Sequence, residues 1–429
     1  MRSNYKKLGE FIQFVNNRNT GLISEDLRGL SMSKEFRKST SNIVGTDLSK
    51  YKLVNKNQFA CDFMSVIRVH KLPVVLHNED DPVIVSPAYT VFEVIDEKKL
   101  NPEYLMMWFR RPEFDRYADF RCDSAIRGGF KWDELGEVEL PIPSIEKQKE
   151  IVDEYNTVVN RIKLNEQLNQ KLEETAQAIY KQWFVDFEFP FDLARPEDLE
   201  GRAIDYIIGY KSSGGKMVYN EELDREIPEG WEVLPIGNVF SVKDGTHESP
   251  KKVDVGHPLV TSTHLRDFDI SFEHTYNISE KDYDQINKRS KVDQFDILFS
   301  MIGTVGIINF VQEPNIDFAI KNVGLFKSSE KRELAEYVLC SLKGNYTKEY
   351  IKGNMAGSTQ SYVTLTTLRN IPLLVPCKNI LSEFNSKIQL LINGIFLRSN
   401  ENQVLEKGKD LILSKMTRVE EEEIISKHA

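Results

Sequence analysis

The sequence predicts an α+β protein in which two mainly-β domains of unlike sequence are each followed by one long helix. Three observations predict it. An internal repeat runs through the chain, a heptad pattern follows each copy, and each pattern starts just after an apolar strand bounded by prolines. The boundaries that result are residues 1–143, a helix at 144–186, a linker at 187–228, residues 229–376 and a helix at 377–420.

The repeat organises the chain. Residues 104–183 lie over 337–416 at a constant offset of 233 without a gap. Tyr104 then meets Tyr337, Tyr117 meets Tyr350, Leu135 meets Leu368, Pro143 meets Pro376 and Ile162 meets Ile395. Identity is low, but the apolar pattern is kept. Upstream, YKKLGEFI (5–12) echoes WEVLPIGNVF (231–240), and NQFACDFMSVI (57–67) echoes DQFDILFSMIG (293–303). The offsets differ there, so small insertions separate the front halves.

The helices follow from spacing. Ile151, Tyr155, Val158, Ile162, Asn165, Asn169, Leu172, Ala176, Ile179 and Trp183 are separated by alternating steps of four and three, which is a heptad seam. The second copy gives Phe384, Ile388, Leu391, Ile395, Arg398, Asn402, Leu405, Lys409, Ile412 and Met416 on the same steps. Pro141, Pro143, Pro372 and Pro376 precede the helices, where they break nothing. Each helix would run roughly 37 residues, or about 55 Å. Two such helices can zip together, with the polar seam positions fixing register at some cost in stability. The competing reading is two unrelated amphipathic helices, each packed on its own domain. The segment between the copies contains Ser-Ser-Gly-Gly and Pro-Glu-Gly and reads as a linker carrying one short apolar element, AIDYII.

Composition is that of a soluble globular protein, with 40% hydrophobic and 28% charged residues in 429. No run of 18 apolar residues suggests a membrane span, and the opening MRSNYKKLGEFIQFV lacks the apolar core of a signal peptide. Cys61, Cys122, Cys340 and Cys377 lie far apart, which fits a reducing cytoplasm better than a disulfide framework or a zinc site. The net charge of −10 does not by itself point to nucleic acid. Half of it arises in 187–228, which holds 10 acidic against 5 basic residues. Any DNA contact must therefore come from local clustering on a folded surface.

The sequence carries no complete catalytic motif. Asn101-Pro102-Glu103-Tyr104 resembles a methyltransferase loop only in part and reads better as a helix start, with Asn101 as N-cap. Gly303-Thr-Val-Gly306 lacks the Gly-Lys-Ser/Thr ending of a phosphate loop. His247, His257, His264 and His274 have no metal-ligand spacing.

Polar loops are more informative. KDGTHESPKK (243–252) gathers Lys243, Thr246, His247, Ser249, Lys251 and Lys252, groups that can donate to phosphates and base edges. The same loop would equally serve as a strand–turn–strand connection. AGSTQSYVT (356–364) offers Ser358, Thr359 and Gln360 around a glycine, and its repeat partner DSAIRGGFK (123–131) places Arg127 opposite Gln360. Arginine suits guanine and glutamine suits adenine. Either residue could equally bond the backbone of its own domain.

Taken together and in this order, IPEGWEVLPIGNVFSVKDGTHESP (227–250), FDILFSMIGTVG (295–306), GSTQSYVTLTTLRNIPLLVP (357–376), LPIPSIEKQKEIV (140–152) and LNEQLNQKLEETAQAIYKQWFVDFEFPFD (164–192) resemble the specificity subunit of type I restriction–modification systems. The resemblance covers nearly the whole chain. It implies two target recognition domains, each reading half of a split, asymmetric DNA site. It implies an antiparallel coiled coil that separates them and docks two methyltransferase subunits, with restriction/translocase subunits joining the complex. This chain would bind no cofactor or metal and catalyse nothing. S-adenosylmethionine would serve the methyltransferase, and ATP and magnesium the restriction subunit. One departure is visible: the second helix entry, VPCKNILSEF, lacks the Glu-x-Gln of IPSIEKQKEI. The rival readings are a stand-alone DNA-modifying enzyme with an unrecognised site, and a scaffold of two adhesion-like domains on a coiled coil.

Overall fold

The computed structural model describes residues 5–39, 45–122, 130–194, 209–357 and 360–417. The chain divides into two compact units, Met1–Lys163 with Gln403–Ala429, and Leu164–Asn402.

In the first unit, β1 (Tyr5–Lys7) pairs antiparallel with the strand that leads into the first long helix. A four-stranded antiparallel sheet is built from β2 (Ile12–Val15), β3 (Gln58–Cys61), β4 (Val74–Leu76) and β5 (Thr90–Val94), in the order β2-β5-β3-β4. Three helices follow: α1 (Pro102–Arg110), α2 (Pro112–Phe120) and α3 (Trp132–Gly136). The start of α1 is fixed as its sequence requires. Asn101 accepts from the amides of Glu103 and Tyr104 at 2.8 and 3.1 Å, and Pro102 fills the first turn. Phe59 and Phe92 stack at 4.8 Å between ring centres on the sheet face that Phe109 of α1 covers. β6 (Glu139–Pro141) is the partner of β1, and α4 (Ile145–Tyr180) is the first long helix, closing in a π-helical turn at Lys181–Val185.

The second unit opens with a hairpin of β7 (Met217–Asn220) and β8 (Arg225–Pro228), then β9 (Glu232–Pro235) and β10 (Val242–Asp244). Helix α5 (Glu280–Ser290) precedes β11 (Ile297–Ser300), β12 (Ile308–Phe310) and β13 (Val323–Phe326). Helices α6 (Ala335–Lys343), α7 (Asn345–Gly353) and α8 (Leu365–Arg369) lead to β14 (Pro372–Val375) and the second long helix, α9 (Lys378–Lys415). The main sheet has the order β10-β13-β11-β12, which repeats the order in the first unit strand for strand. β9 pairs with β14 as β1 does with β6.

From α1 onward the repeat is gapless. α1, α2, α3, β6 and α4 each begin 233 residues before α6, α7, α8, β14 and α9. Equivalent backbone bonds anchor the first strand of each copy, from Leu8 N to Val138 O and from Ile236 N to Ile371 O, both 2.8 Å. One sequence-based register is corrected. The match of 57–67 with 293–303 implies an offset of 236, but the folded turns coincide at 238. Gln58 Oε1 accepts from the Asn55 amide at 2.8 Å, and Asp296 Oδ2 accepts from the Asp293 amide at 2.7 Å. Asn57 and Phe295, the residues in the left-handed region, fall on the same offset. The shared Gln-Phe pair drew the alignment, whereas the side chain that closes the turn sets the register.

The long helices have 36 and 38 residues and are shared between the units. In the first unit the start of α4 (Ile151, Val152, Tyr155) shares one core with the end of α9 (Ile412, Leu413, Met416). In the second unit the end of α4 meets the start of α9, so the helices run antiparallel. Asn165 Nδ2 donates to Asn402 Oδ1 at 2.8 Å, and Trp183 packs on Phe384 with ring centres 5.9 Å apart. Both pairs obey one register: 18 residues forward on α4 is 18 back on α9. The seam residues Ile151, Tyr155, Ile162, Ala176, Trp183, Phe384, Ile388, Ile395, Ile412 and Met416 are buried, and Val158, Leu172, Ile179, Leu391 and Leu405 are half-buried.

The altered helix entry has a physical reason. Gln148, fully buried, accepts from the Asn101 amide at 2.8 Å and donates to the carbonyls of Lys99 and Pro143, both at 2.9 Å. The equivalent position in the second copy is Leu381. There the 3₁₀ segment Ser328–Leu334 leads into α6, and the Ala335 amide at the start of that helix donates to the Arg332 carbonyl without a side chain from α9.

The expected linker is folded where it is described. Phe187, Phe189, Tyr210 and Ile227 enter the second unit's core, with Phe189 stacked between Tyr210 and Trp231 of the domain that follows. The apolar element AIDYII lies outside the described residues. No helix among the described residues is long and apolar enough to cross a membrane.

Candidate nucleic-acid interface

The sheet of the second unit determines which loops meet. Asp244, at the end of β10, is opposite Gly324; Ser300, at the end of β11, is opposite Val323; Phe299 is opposite Ile308. The loop after β10, the turn between β11 and β12 and the residues before β13 therefore all leave from one end of one sheet.

The loop after β10 is held down along its first half. The amides of Gly245 and Thr246 donate to Val323 and Ile320, at 2.9 and 3.0 Å, and the Asn322 amide returns a bond to Thr246 at 3.2 Å. A Cβ on Gly245 would stand 2.3 Å from the Ile320 carbonyl oxygen, so this close approach requires glycine. Asp244, almost fully buried, accepts from Arg289 of α5 and pairs with His247 Nε2 at 3.0 Å. His247 Nδ1 lies 2.8 Å from Asn322 Oδ1.

The residues proposed from sequence for this loop thus separate into two groups. Thr246 Oγ1 accepts from the Glu248 amide at 3.1 Å, His247 is held between Asp244 and Asn322, and Ser249 Oγ accepts from Lys321 Nζ at 2.5 Å. These three side chains shape the loop. Lys251 and Lys252 are exposed and their side chains form no hydrogen bond or ion pair with the described residues, and Lys243 is half-buried in β10. Two exposed, unpaired lysines in one loop are groups able to neutralise phosphates.

The turn between β11 and β12 is closed by Ser300. Its hydroxyl donates to the Thr304 carbonyl at 2.6 Å and accepts from the Ile307 amide at 2.7 Å. Gly303 lies in the left-handed region at φ 80°. Its amide donates to the Ser361 carbonyl at 3.0 Å, and Val363 N donates to Met301 O at the same distance. The hairpin around residue 360 is thereby attached to this turn, bringing Gln360 to the same end of the sheet. Ser358, Thr359 and, in the first unit, Arg127 lie outside the described residues.

The first unit repeats the frame with different chemistry. Asp62, on the offset of 238 from Ser300, closes the equivalent turn by accepting from Met64 N, Ser65 N and Ser65 Oγ. Met64 is 72% exposed on that turn. The exposed side chain is apolar there, whereas the turn in the second unit exposes Thr304.

Among the described residues no cluster of three or more His, Cys, Asp or Glu is placed to hold a metal. Sequence reasoning missed Asp244, Arg289, Ser300, Thr304 and Lys321. Only the Gly303/Gly306 pair carried a local signal for any of them, that of a tight turn.

The comparisons with known proteins agree with this architecture. The profile of the Type I restriction modification DNA specificity domain matches residues 31–174 and 228–407. The MjaIX specificity subunit of a type I restriction enzyme from Methanocaldococcus jannaschii is 27% identical over 76% of this chain and 72% of its own. The HindI specificity subunit from Haemophilus influenzae is 24% identical over 79% of this chain and 81% of its own. The crystal structure of a type I restriction–modification S subunit from M. genitalium superposes with a TM-score of 0.51 at 12% identity, covering 96% of this chain and 95% of that one. With two copies of the domain spanning most of its length, the chain belongs to the type I restriction modification DNA specificity family.

Proposed function

We propose that this chain reads a split, asymmetric DNA site and directs partner adenine methyltransferase and restriction subunits to it. It performs no chemistry itself. Each copy of the four-stranded sheet presents its end loops to one half-site, and the antiparallel helices hold the methyltransferase partners, two copies to one chain. S-adenosylmethionine, ATP and magnesium belong to those partners, and the complex works in the cytoplasm.

The observation that carries the reading is the repetition of one sheet, strand for strand, with unlike side chains on its end turns. An internal repeat imitates a symmetric dimer, but unlike copies suit unlike half-sites. Phosphate contacts come from Lys251 and Lys252, and Gln360 reads a base edge; the arginine at the repeat-equivalent position of the first domain, Arg127, is the residue type that suits guanine.

Replacing residues 229–376 with the corresponding domain of a relative tests it. Methylome sequencing of a host expressing the hybrid with its methyltransferase should show a target that keeps one half and changes the other. A wholly new target would contradict independent half-site reading. Methyl transfer or cleavage by the purified chain alone would favour an enzyme, and the absence of any sequence preference in the complex would favour a scaffold.

A further inference from the structure

We infer that Thr304 and Gln360 act as one base-reading pair in the second domain, with Gln360 facing the major-groove edge of an adenine and Thr304 the neighbouring base. This rests on the DNA-reading function proposed above.

At this end of the sheet Thr246, His247 and Ser249 are engaged within the domain. Thr304 and Gln360 are exposed, and neither side chain bonds to the described residues. The backbone beneath them is fixed. Ser300 is fully buried and ties the turn at both the Thr304 carbonyl and the Ile307 amide. The Gly303–Ser361 bond joins turn to hairpin, and Tyr362 bridges to both Ile302 and Ala356. Gln360 Nε2 lies 3.7 Å from the point where a Cβ on Gly303 would stand, so the amide rests against the turn that carries Thr304. Thr304 and Gln360 are thus carried on a turn and a hairpin tied to each other through Gly303, Ser361 and Tyr362, which limits the ordering cost on binding.

The chemistry selects the base. A carboxamide offers one donor and one acceptor in a plane, which matches N7 and N6 of adenine. A threonine offers a hydroxyl and a methyl and suits an adjacent thymine methyl or a base oxygen. Lys251 and Lys252, on the neighbouring loop, supply charge without sequence information.

The test uses the full chain assembled with its methyltransferase, and duplex DNA randomised over the second half-site. Gln360→Glu exchanges the amide for a pure acceptor, which suits the amino group of cytosine. Selection should shift at one position from adenine toward cytosine, with the old base disfavoured on the order of 10- to 100-fold. Thr304→Ala should relax the adjacent position only. The first half-site, the salt dependence and the melting temperature should stay as they are. An unchanged second half-site in both variants would overturn the pair, as would a uniform loss of affinity on all DNA. If the unaltered complex shows no sequence preference at all, the DNA-reading function itself fails, and the two failures are distinguishable.

Discussion

The hydroxyl of Tyr337 donates to the carbonyl of Leu374 at 2.6 Å, inside the core of the second unit. In the first unit the hydroxyl of Tyr104 donates to the carbonyl of Pro141 at 3.1 Å, with both residues earlier by the same 233 positions. Each bond ties the first helix after the sheet to the strand that enters a long helix. Two rings of this size are fully buried because their hydroxyls have partners.

Tyr337→Phe and Tyr104→Phe should each cost about 1 kcal/mol, the net worth of one hydrogen bond with its acceptor left behind. The two sites lie in different units, so the double variant should lose the sum. Urea unfolding of the three variants checks both statements. A neutral Tyr337→Phe would mean that packing alone holds the helix to the strand.

The seam contains a buried polar pair whose role can be tested. Asn165 is fully buried, and its amide nitrogen donates to Asn402 at 2.8 Å and Glu401 at 3.0 Å, while its oxygen has no partner among the described residues. Replacing Asn165 and Asn402 together by Leu should raise stability by about 1–3 kcal/mol, the cost of a poorly satisfied buried polar group. The register should become less unique. Cysteines placed at 169 and 399, where Asn169 and Ser399 now meet, should cross-link efficiently in the unaltered seam and less completely in the Leu variant. Equal cross-linking in both would assign register to the apolar positions alone.

These elements differ in how much of them the sequence displays. The helices and their seam faces are legible because a heptad seam must recur every seven residues, so Ile151 to Trp183 and Phe384 to Met416 declare themselves, whereas the pairing of Asn165 with Asn402 does not. The front halves are less legible. Their strands accept almost any apolar residue, and the turn closures at Gln58 and Asp296 use different side chains for the same bond. The site is least legible because its partners are distant in sequence. Nothing near Thr246, His247 and Ser249 announces that Asn322 and Lys321 will occupy two of them, or that Arg289 will share Asp244 with His247.

The second unit contains a pH-dependent cluster. The His257 imidazole lies between Asp317 and Glu280, the latter at 2.6 Å, and stacks on Tyr283 at 3.9 Å. The hydrogen bond to Glu280 raises its pKa most; burial opposes, and Asp317 adds to the rise. The folded state therefore prefers the imidazolium. Its contribution is fully present below the unfolded pKa of about 6.5 and is lost as pH rises through the higher folded value. His264 shifts the other way, chiefly through burial. The difference between the unaltered chain and His257→Gln isolates the imidazolium's share. That difference should be largest near a pH of about 5.5 and shrink above neutrality, read as melting temperature against pH. A constant difference would assign His257 to packing on Tyr283 only.

The exposed lysines of the loop after β10 should behave unlike the residues at its base. Lys251 and Lys252 are exposed and free of partners among the described residues, while Thr246 caps the Glu248 amide and sits on a backbone bonded to Ile320 and Asn322. Converting both lysines to alanine should weaken binding of the methyltransferase complex equally on target and unrelated DNA. The slope of log affinity against log salt should become shallower by about 0.9 for each phosphate that a lysine no longer neutralises. Thr246→Val keeps the shape and removes the acceptor. It should lower the melting temperature, by the worth of one backbone bond of about 1 kcal/mol, and leave both the salt slope and the recognised bases unchanged. If the lysine variant keeps its salt slope, the loop does not touch the phosphate backbone. If Thr246→Val alters one base of the half-site with no change in melting, the hydroxyl reads DNA after all, and the internal bond to Glu248 must break when the complex forms.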